Sequence, residues 1–118
     1  MQDFRELEVW KKSHSLALAA YRATTKFPRD ELYGLTSQMR RAAVSVPSNI
    51  AEGCGRAGGP DFARHVQIAA GSASELEYLL ILTCDLELLD RDEKQRLASE
   101  VTEVKRMLTS LIQKVRGR

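Results

Sequence analysis

The chain has 118 residues, a length that suits one compact domain and is short for two ordinary ones. Apolar residues make up 43% and charged residues 29% of it, which is typical of a soluble globular protein and excludes an intrinsically disordered chain. The formal net charge of +2 is too small to indicate a polyanionic partner by itself, so the distribution of the charges matters more than their sum.

The sequence does not suggest a membrane or secreted protein. The first residues, MQDFRELEVWKK, lack the apolar core of a signal peptide, and no run of about 18 apolar residues follows that would cross a bilayer. We therefore expect a cytoplasmic protein that contacts no membrane. Cys54 and Cys84 are widely spaced and do not resemble a disulfide framework or a zinc site, so reduced thiols are expected.

Three interruptions, at residues 27–34, 53–61 and 89–93, leave four segments with helical periodicity. In the first segment, residues at steps of three and four predict one buried face of a helix. That face comprises Trp10, Ser13, Ala17, Ala20, Tyr21, Thr24 and Phe27. The Phe27-Pro28 pair is predicted to end this helix, because a residue before proline disfavours helical angles.

The second segment carries one apolar stripe that continues through Pro47 without a change of phase. The stripe comprises Leu35, Met39, Ala42, Val46, Ile50 and Gly53. Proline inside a helix removes one N–H and crowds a carbonyl, at a cost of about 3 kcal/mol. Since the stripe continues, we predict a helix that bends at Pro47 and does not end there. The glycines at 53 and 55 are predicted to close it in left-handed conformations.

The third segment opens at Pro60 and Asp61, which suit a first helical turn. Its stripe comprises Phe62, Val66, Ala69, Ala73, Leu76, Leu80 and Thr83. From Leu79 to Leu89 the predicted helix is apolar on more sides than one neighbour covers. We therefore expect contact with a second subunit, and choose Ile81 and Leu88, seven residues apart and off the stripe, as the interface.

The fourth segment repeats the helical pattern, with Asp90 or Asp92 as the N-cap and basic residues in its last turn. Its stripe comprises Leu97, Val101, Val104, Leu108, Leu111 and Val115. No strand-like alternation occurs anywhere, and the connections are short. Residues 1–118 are therefore predicted to form one all-α domain, an antiparallel up-down four-helix bundle whose second helix is kinked at Pro47.

The segment LTSQMRRAAVSVPSNIAEGCGR, at 35–56, resembles small bacterial four-helix-bundle proteins encoded in intervening sequences of 23S ribosomal RNA genes. FRELEVWKKS near the start, FP after the first helix and GSASELEYLL at 71–80 extend the resemblance over nearly the whole chain. Cys54 departs from it, since an aromatic residue is common there. That family is similar to the accessory protein of diversity-generating retroelements. The resemblance implies a homopentameric ring, nucleic-acid binding or a protein partner such as a reverse transcriptase, and no agreed enzymatic activity.

Three polar side chains of the second segment allow alternative roles. Asn49 lies beside Ile50 and is expected to pair with backbone groups at the kink or with a neighbouring helix, with ligand binding as the alternative. Arg40 and Arg41 are about 100° apart on a helix, so they cannot share one task. One interpretation is phosphate binding, and the other is a salt bridge by one of them with the second solvated.

Charges separate towards the two ends of the predicted bundle. The end with both chain termini collects Arg5, Lys11, Lys12, Arg56, Arg64, Lys114, Arg116 and Arg118 against Asp3, Glu6, Glu8, Glu52 and Asp61. The opposite end is acidic. A clustered basic surface is the electrostatic footprint of a nucleic-acid partner, and a ring would multiply it. The predicted nucleic-acid-binding residues are Lys11, Lys12, Arg40, Arg41, Arg56 and Arg64, and the predicted structural residues are Pro47, Asn49 and Gly53.

Catalytic and metal-binding patterns are not found in the sequence. His14 and His65 lie in different predicted helices without a Cys or carboxylate at metal spacing, and Glu75 and Glu77 face different ways. We therefore expect no enzyme, no metal and no cofactor. The leading hypothesis is an oligomeric protein that binds RNA or DNA through a basic surface. The alternative is a scaffold ring that recruits another protein and no nucleic acid.

Overall fold

The computed structural model describes residues 2–56 and 58–117 and consists of four long helices. They are α1 (Glu8–Thr24), α2 (Ser37–Gly55), α3 (Gly59–Asp85) and α4 (Arg91–Arg116). Each helix packs on two others, in the cyclic order α1, α2, α3, α4 and back to α1. The particle is elongated, 45 × 23 × 20 Å. The prediction of an all-α four-helix bundle is confirmed.

One core runs the length of the bundle and is built from the four predicted stripes. Its largest fully buried side chains include Leu16 and Met39 and, in the later helices, Leu76, Leu80 and Leu108.

The buried face of α1 is shifted from the predicted one. The core contains Leu16 and Ala23, whereas Tyr21, which was predicted to be buried, is 45% exposed. This shift arises because α1 lies between α2 and α4, and Tyr21 falls at the edge of its buried arc, beside α2.

The connection between α1 and α2 is irregular. A short 3₁₀ turn, Arg29–Glu31, leads into a wide turn at Leu32–Thr36, and α2 begins after it. The Glu31 carboxylate accepts a hydrogen bond from the N–H of Leu35 at 3.1 Å. At the start of α4, the Asp90 carboxylate accepts from the N–H of Glu93 at 2.8 Å, so Asp90 is the N-cap.

Helix α2 continues through Pro47, which is buried in the structure. Asn49 Nδ2 donates to the Ser45 carbonyl at 2.8 Å, and it also lies 3.0 Å from the Ser45 hydroxyl. That hydroxyl in turn pairs with the Ser72 hydroxyl of α3 at 2.8 Å. A chain of polar groups thus joins α2 to α3 beside the proline. The bend at Pro47 stays a prediction.

The predicted left-handed closure of α2 is wrong. Gly53 lies inside the helix, and the positive backbone angle in this connection belongs to Gly58, with φ 111°. Gly53 has a different requirement, because an added Cβ would lie 3.0 Å from the His65 Cβ and 3.2 Å from the Phe62 ring. The absence of a side chain at Gly53 therefore lets α2 and α3 approach closely.

The end of α3 is also different from the sequence expectation. The helix ends at Asp85, so Leu88 lies in the connection and does not share a helical face with Ile81. Glu87 takes a left-handed conformation, φ 63°, and the N–H groups of Leu88 and Leu89 both donate to the Thr83 carbonyl. This turn directs Leu89 back into the core, where it is 3% exposed. Part of the apolar run beyond Asp85 is thus buried within one protomer.

Candidate nucleic-acid interface

Arg40 is held by the last turns of α1. Its Nε donates to the Thr24 hydroxyl at 2.8 Å, and a terminal nitrogen lies 3.4 Å from the Tyr21 carbonyl oxygen. The guanidinium carbon sits 4.5 Å from the centre of the Tyr21 ring, within the range of a cation–π contact. All these partners are neutral, so Arg40 links α1 to α2 and forms no ion pair with a carboxylate of the described residues.

Arg41 points to a different groove, between α2 and α3. It is exposed and lines a depression of about 550 Å³ together with Ser45, Ser72 and Glu75. Among the residues that the structure describes, no carboxylate forms an ion pair with it. Arg40 and Arg41 thus face different surroundings, α1 for Arg40 and the α2–α3 depression for Arg41, and the division of tasks between them stays a prediction.

Lys11 and Lys12 lie in a third groove, between α1 and α4. Both line a depression there with Glu100 and Glu103 of α4. Lys11 also forms an exposed ion pair with Glu8 at 3.1 Å. The nearby α4 carboxylates reduce the positive potential at this groove, which makes it a weaker phosphate site than the sequence suggests.

The C-terminal turn of α2 carries an ion-pair cluster centred on Glu52. Arg56 donates to a Glu52 oxygen at 2.8 Å, and the same oxygen lies 3.4 Å from Nε2 of His65. His65 is buried, and its Nδ1 is 2.9 Å from the Asp61 carbonyl oxygen. The hydrogen bond from Arg56, followed by the charge of His65, lowers the pKa of Glu52 from its ordinary value of 4.5.

This cluster gives a pH-dependent contribution to stability. Because the pKa of Glu52 is lowered by folding, its contribution is present above pH 4.5 and is lost as the pH falls through the folded pKa. We expect the melting temperatures of wild type and Glu52→Gln to differ at neutral pH and to converge below pH 4.5. The effect is small because Glu52 is solvent-exposed. A gap that widens on acidification would contradict this assignment.

The end of the bundle that holds Gln2, the α2–α3 connection and the last turn of α4 forms what we call the basic end. Its described cations are Arg5, Lys11, Lys12, Arg56, Arg64, Lys114 and Arg116, and its acids are Asp3, Glu6, Glu8, Glu52 and Asp61. Arg118 lies outside the described residues. Three of these cations are bound by acids, in the pairs Arg5–Asp3, Lys11–Glu8 and Arg56–Glu52.

Four cations of the basic end remain without a carboxylate partner among the described residues. These are Lys12, Arg64, Lys114 and Arg116. All four are exposed. At the opposite end, Glu93 binds both Lys26 and Arg96. Exposed cations without a carboxylate partner among the described residues also occur elsewhere, at Arg22, Arg29, Arg41 and Arg91. Of the four at the basic end, Lys12 lies beside Glu100 and Glu103 of α4. Lys114 and Arg116 were assigned to this end from the sequence but were not among the predicted nucleic-acid-binding residues.

A depression of about 380 Å³ opens at the basic end, and we call it the basic-end pocket. Its apolar lining comes from four separate segments, and its rim carries two cations. The lining that defines it is Leu7, Cys54, Phe62 and Leu111, with Arg56 and Lys114 at the rim. Sequence periodicity did not reveal this pocket, because its walls come from both chain ends and from the α2–α3 connection.

A larger depression, of about 780 Å³, lies at the acidic end. Residues of both charge signs line it, among them Lys26, Asp90 and Glu93, and Lys26 and Glu93 are themselves paired at 3.4 Å. Because the opposite charges cancel locally, this surface offers no clear electrostatic selection for a ligand. Across residues 2–56 and 58–117, no three His, Cys, Asp or Glu side chains lie together as a metal site would need.

The two histidines lie in unrelated settings. His14 is exposed and stacks on the Trp10 ring, with 5.0 Å between centroids and 5° between planes. His65 is buried in the Glu52 cluster. In the described part of the chain, no helix combines the length and apolarity that a membrane crossing requires.

The predicted oligomer-interface residues differ in exposure. Ile81 is 45% exposed on α3, whereas Leu88 is half-buried against the core. Both line the depression at the acidic end. Other apolar side chains are more exposed than Leu88, notably Tyr33 at 93% and Tyr78 at 58%. Ile81 is thus more accessible to another subunit than Leu88, and the role of both in an interface stays a prediction.

Comparison with known proteins identifies the family. A family model described as 23S rRNA-intervening sequence protein matches residues 5–110. The chain belongs to this family. The prediction made from the RRAAVSVPSNIAEG motif is thereby confirmed. In this 23S rRNA-intervening sequence protein the motif forms most of α2, and its similarity to retroelement accessory proteins stays a prediction.

A solved structure supports the same assignment. It is that of a protein of unknown function from the S23 ribosomal protein family of Bacteroides thetaiotaomicron, which is 26% identical to this chain. The two superimpose with a TM-score of 0.80, and the alignment covers 89% of this chain and 98% of that one. Comparison of this chain with the curated proteins found no match.

Proposed function

We propose that the protein is an oligomeric, non-enzymatic cytoplasmic protein that binds RNA or DNA through its basic end. The observation that carries this proposal is the set of four exposed cations there without a carboxylate partner among the described residues. Lys and Arg that are not already paired can replace the condensed counterions of a phosphate backbone, and the release of those ions drives binding. The free thiols of Cys54 and Cys84 suit a reducing compartment.

The net charge of one basic end is modest, so affinity depends on several copies acting together. The described residues of the basic end include seven cations and five acids. If several protomers place their basic ends on one side of a ring, the excess positive charge is multiplied on that side. Binding at several points raises the overall affinity without any new contact, provided that all sites reach the same strand. A ring of five copies is the assembly that the family resemblance implies.

Salt dependence tests nucleic-acid binding. We expect a short RNA to bind at low ionic strength and to dissociate as salt rises from about 50 to 200 mM. Replacing Arg64, Lys114 and Arg116 with Gln should reduce the slope of log affinity against log salt. The expected reduction is about 0.7 for each phosphate of the single strand that the variant no longer neutralises. Anisotropy titrations with a labelled RNA measure both effects.

The matched control removes three exposed cations elsewhere. Arg22, Arg29 and Arg91 lie on α1 or towards the acidic end, and their replacement with Gln changes the net charge by the same amount. If this control weakens binding as much as the basic-end variant does, the location of the site is wrong. A wild-type protein that shows no affinity for RNA or DNA at low salt would favour the scaffold ring, which recruits only protein.

Oligomerisation is tested separately by the exposed face of α3. We expect Ile81→Glu to lower the mass of the assembly in light scattering, because a charge would be buried where an apolar side chain was. Leu18→Glu on α1 is the control, since Leu18 is similarly exposed, at 43% against 45% for Ile81. A wild-type protein that is already monomeric at micromolar concentration would contradict the proposed ring.

A further inference from the structure

The basic-end pocket is lined by both apolar and cationic side chains. Phe62 is half-buried, and one edge of its ring packs against α2 at Gly53, where an added Cβ would lie 3.2 Å from the ring. Leu7 and Leu111 supply aliphatic walls from the two ends of the chain. The pocket therefore offers an aromatic surface among aliphatic side chains, at the end of the bundle where unpaired cations collect.

Cys54 contributes a neutral, apolar part of the pocket lining. The side chain is buried, and burial raises the pKa of its thiol, with the charge of Asp3 as a smaller cause. A neutral thiol behaves as a small hydrophobic group. The described residues that line the pocket include no carboxylate, and Asp3, which acts on the thiol, lies outside the lining.

Two cations supply positive charge at the pocket, one in α4 and one directly after α2. Lys114 of α4 has no carboxylate partner among residues 2–56 and 58–117. Arg56, after α2, gives one terminal nitrogen to Glu52 and retains further N–H donors, because a guanidinium carries five. Gln2 also lines the pocket, and its side-chain amide can both donate and accept hydrogen bonds.

These features select a ligand with a flat apolar body, polar edges and a nearby anionic group. A nucleotide has this combination, since its base stacks on an aromatic ring and its phosphate pairs with Lys or Arg. The volume of about 380 Å³ lies near the lower end of the roughly 300–1,000 Å³ typical of small-ligand sites. A single base fits such a volume, whereas a base that remains stacked inside a duplex cannot enter it.

We propose that the basic-end pocket binds one unstacked nucleotide of a single-stranded nucleic acid, with its base against Phe62 and its phosphates at Arg56 and Lys114. This inference rests on the proposed function and narrows its substrate class from any nucleic acid to single strands. Phosphate contacts position the strand, and the pocket adds a contact that depends on the base.

A strand that lacks bases tests this inference on the wild-type protein. Two oligonucleotides of equal length are compared, one of oligo-dT and one of abasic deoxyribose phosphate, so that both carry the same phosphates. We expect the abasic strand to bind roughly 5- to 150-fold more weakly, the change produced by removing one base that stacks on an aromatic ring. Equal affinity of the two strands overturns the pocket assignment and leaves phosphate binding at the basic end intact.

A conservative variant locates the contact. Phe62→Leu keeps an apolar side chain but removes the aromatic face, so the preference for oligo-dT over the abasic strand should fall towards unity. Phe27→Leu is the control, because Phe27 is a buried aromatic residue after α1, at the opposite end of the bundle, and its replacement should leave the preference unchanged. Retained preference in Phe62→Leu overturns the assignment of the base to Phe62. Absence of binding to both strands at low salt overturns the proposed function itself.

Discussion

Replacing Leu89 with Ala should lower the free energy of unfolding by about 2–5 kcal/mol, the cost of removing a buried leucine side chain and leaving a cavity. Leu89 follows the end of α3 by four residues and is 3% exposed. It reaches the core because Glu87 adopts a left-handed conformation and the Thr83 carbonyl accepts the N–H groups of Leu88 and Leu89. Urea unfolding monitored by helical circular dichroism measures the decrease in stability.

Leu86→Ala is the matched control from the same connection. Leu86 is 53% exposed, so its truncation should change the free energy of unfolding by less than about 0.5 kcal/mol. Both variants are compared at one protein concentration, since the stability of an oligomer depends on it. Equal decreases in the two variants would contradict the return of the chain at Glu87. A large decrease in Leu86→Ala alone would indicate that the connection folds in the opposite sense.

Replacing Gly53 with Leu should lower the free energy of unfolding by about 1–3 kcal/mol, as overpacking does in other cores. The first added carbon would already lie 3.0 Å from the His65 Cβ and 3.2 Å from the Phe62 ring. The remaining carbons force α2 and α3 apart or displace Phe62. The higher helix propensity of Leu offsets at most about 1 kcal/mol of this cost. Thermal and urea unfolding of the variant measure the net effect.

Gly55→Ala tests whether close approach, and not glycine flexibility, is the requirement at Gly53. Gly55 is in the same helix, and a Cβ there would meet nothing within 4 Å. We expect Gly55→Ala to be neutral or to stabilise the protein by up to about 1 kcal/mol. If Gly53→Leu is equally harmless, the helices at this point have room that the structure does not show, and Phe62 is not held as a wall of the basic-end pocket.

Gly53 connects the stability of the bundle to the proposed site. Because it lacks a side chain, Phe62 can pack against α2 and present part of its ring to the pocket. The same helical turn carries Glu52, which binds Arg56 at the pocket rim and lies beside His65. A substitution at Gly53 should therefore affect binding of a single strand as well as folding. A variant of the rim cation Lys114 should affect binding alone, since Lys114 is exposed and has no carboxylate partner among the described residues, whereas Arg56 also pairs with Glu52.

Local signals in the sequence were sufficient to predict four helices and the family. The apolar stripes of α2 and α4 depend on a period of 3.6 residues, and the Asp90 cap depends on one side chain and the N–H of Glu93. The proline near the start of α3 marks where that helix begins. The short connections favour antiparallel packing of consecutive helices. Each of these features involves residues close together in the chain, which is why a single sequence reveals them.

Tertiary structure decided what lies at the ends of the helices and between them. Whether Leu88 or Leu89 is buried depends on a left-handed turn at Glu87, a position where periodicity predicted continued helix. The partners of Arg40 are a hydroxyl, a carbonyl and a ring 16 to 19 residues away, and no charge pattern marks them. The basic-end pocket joins residues from both chain ends with the α2–α3 connection. Such contacts depend on how whole helices are placed against one another, and that placement is set by packing of the entire core, not by any local stretch of sequence.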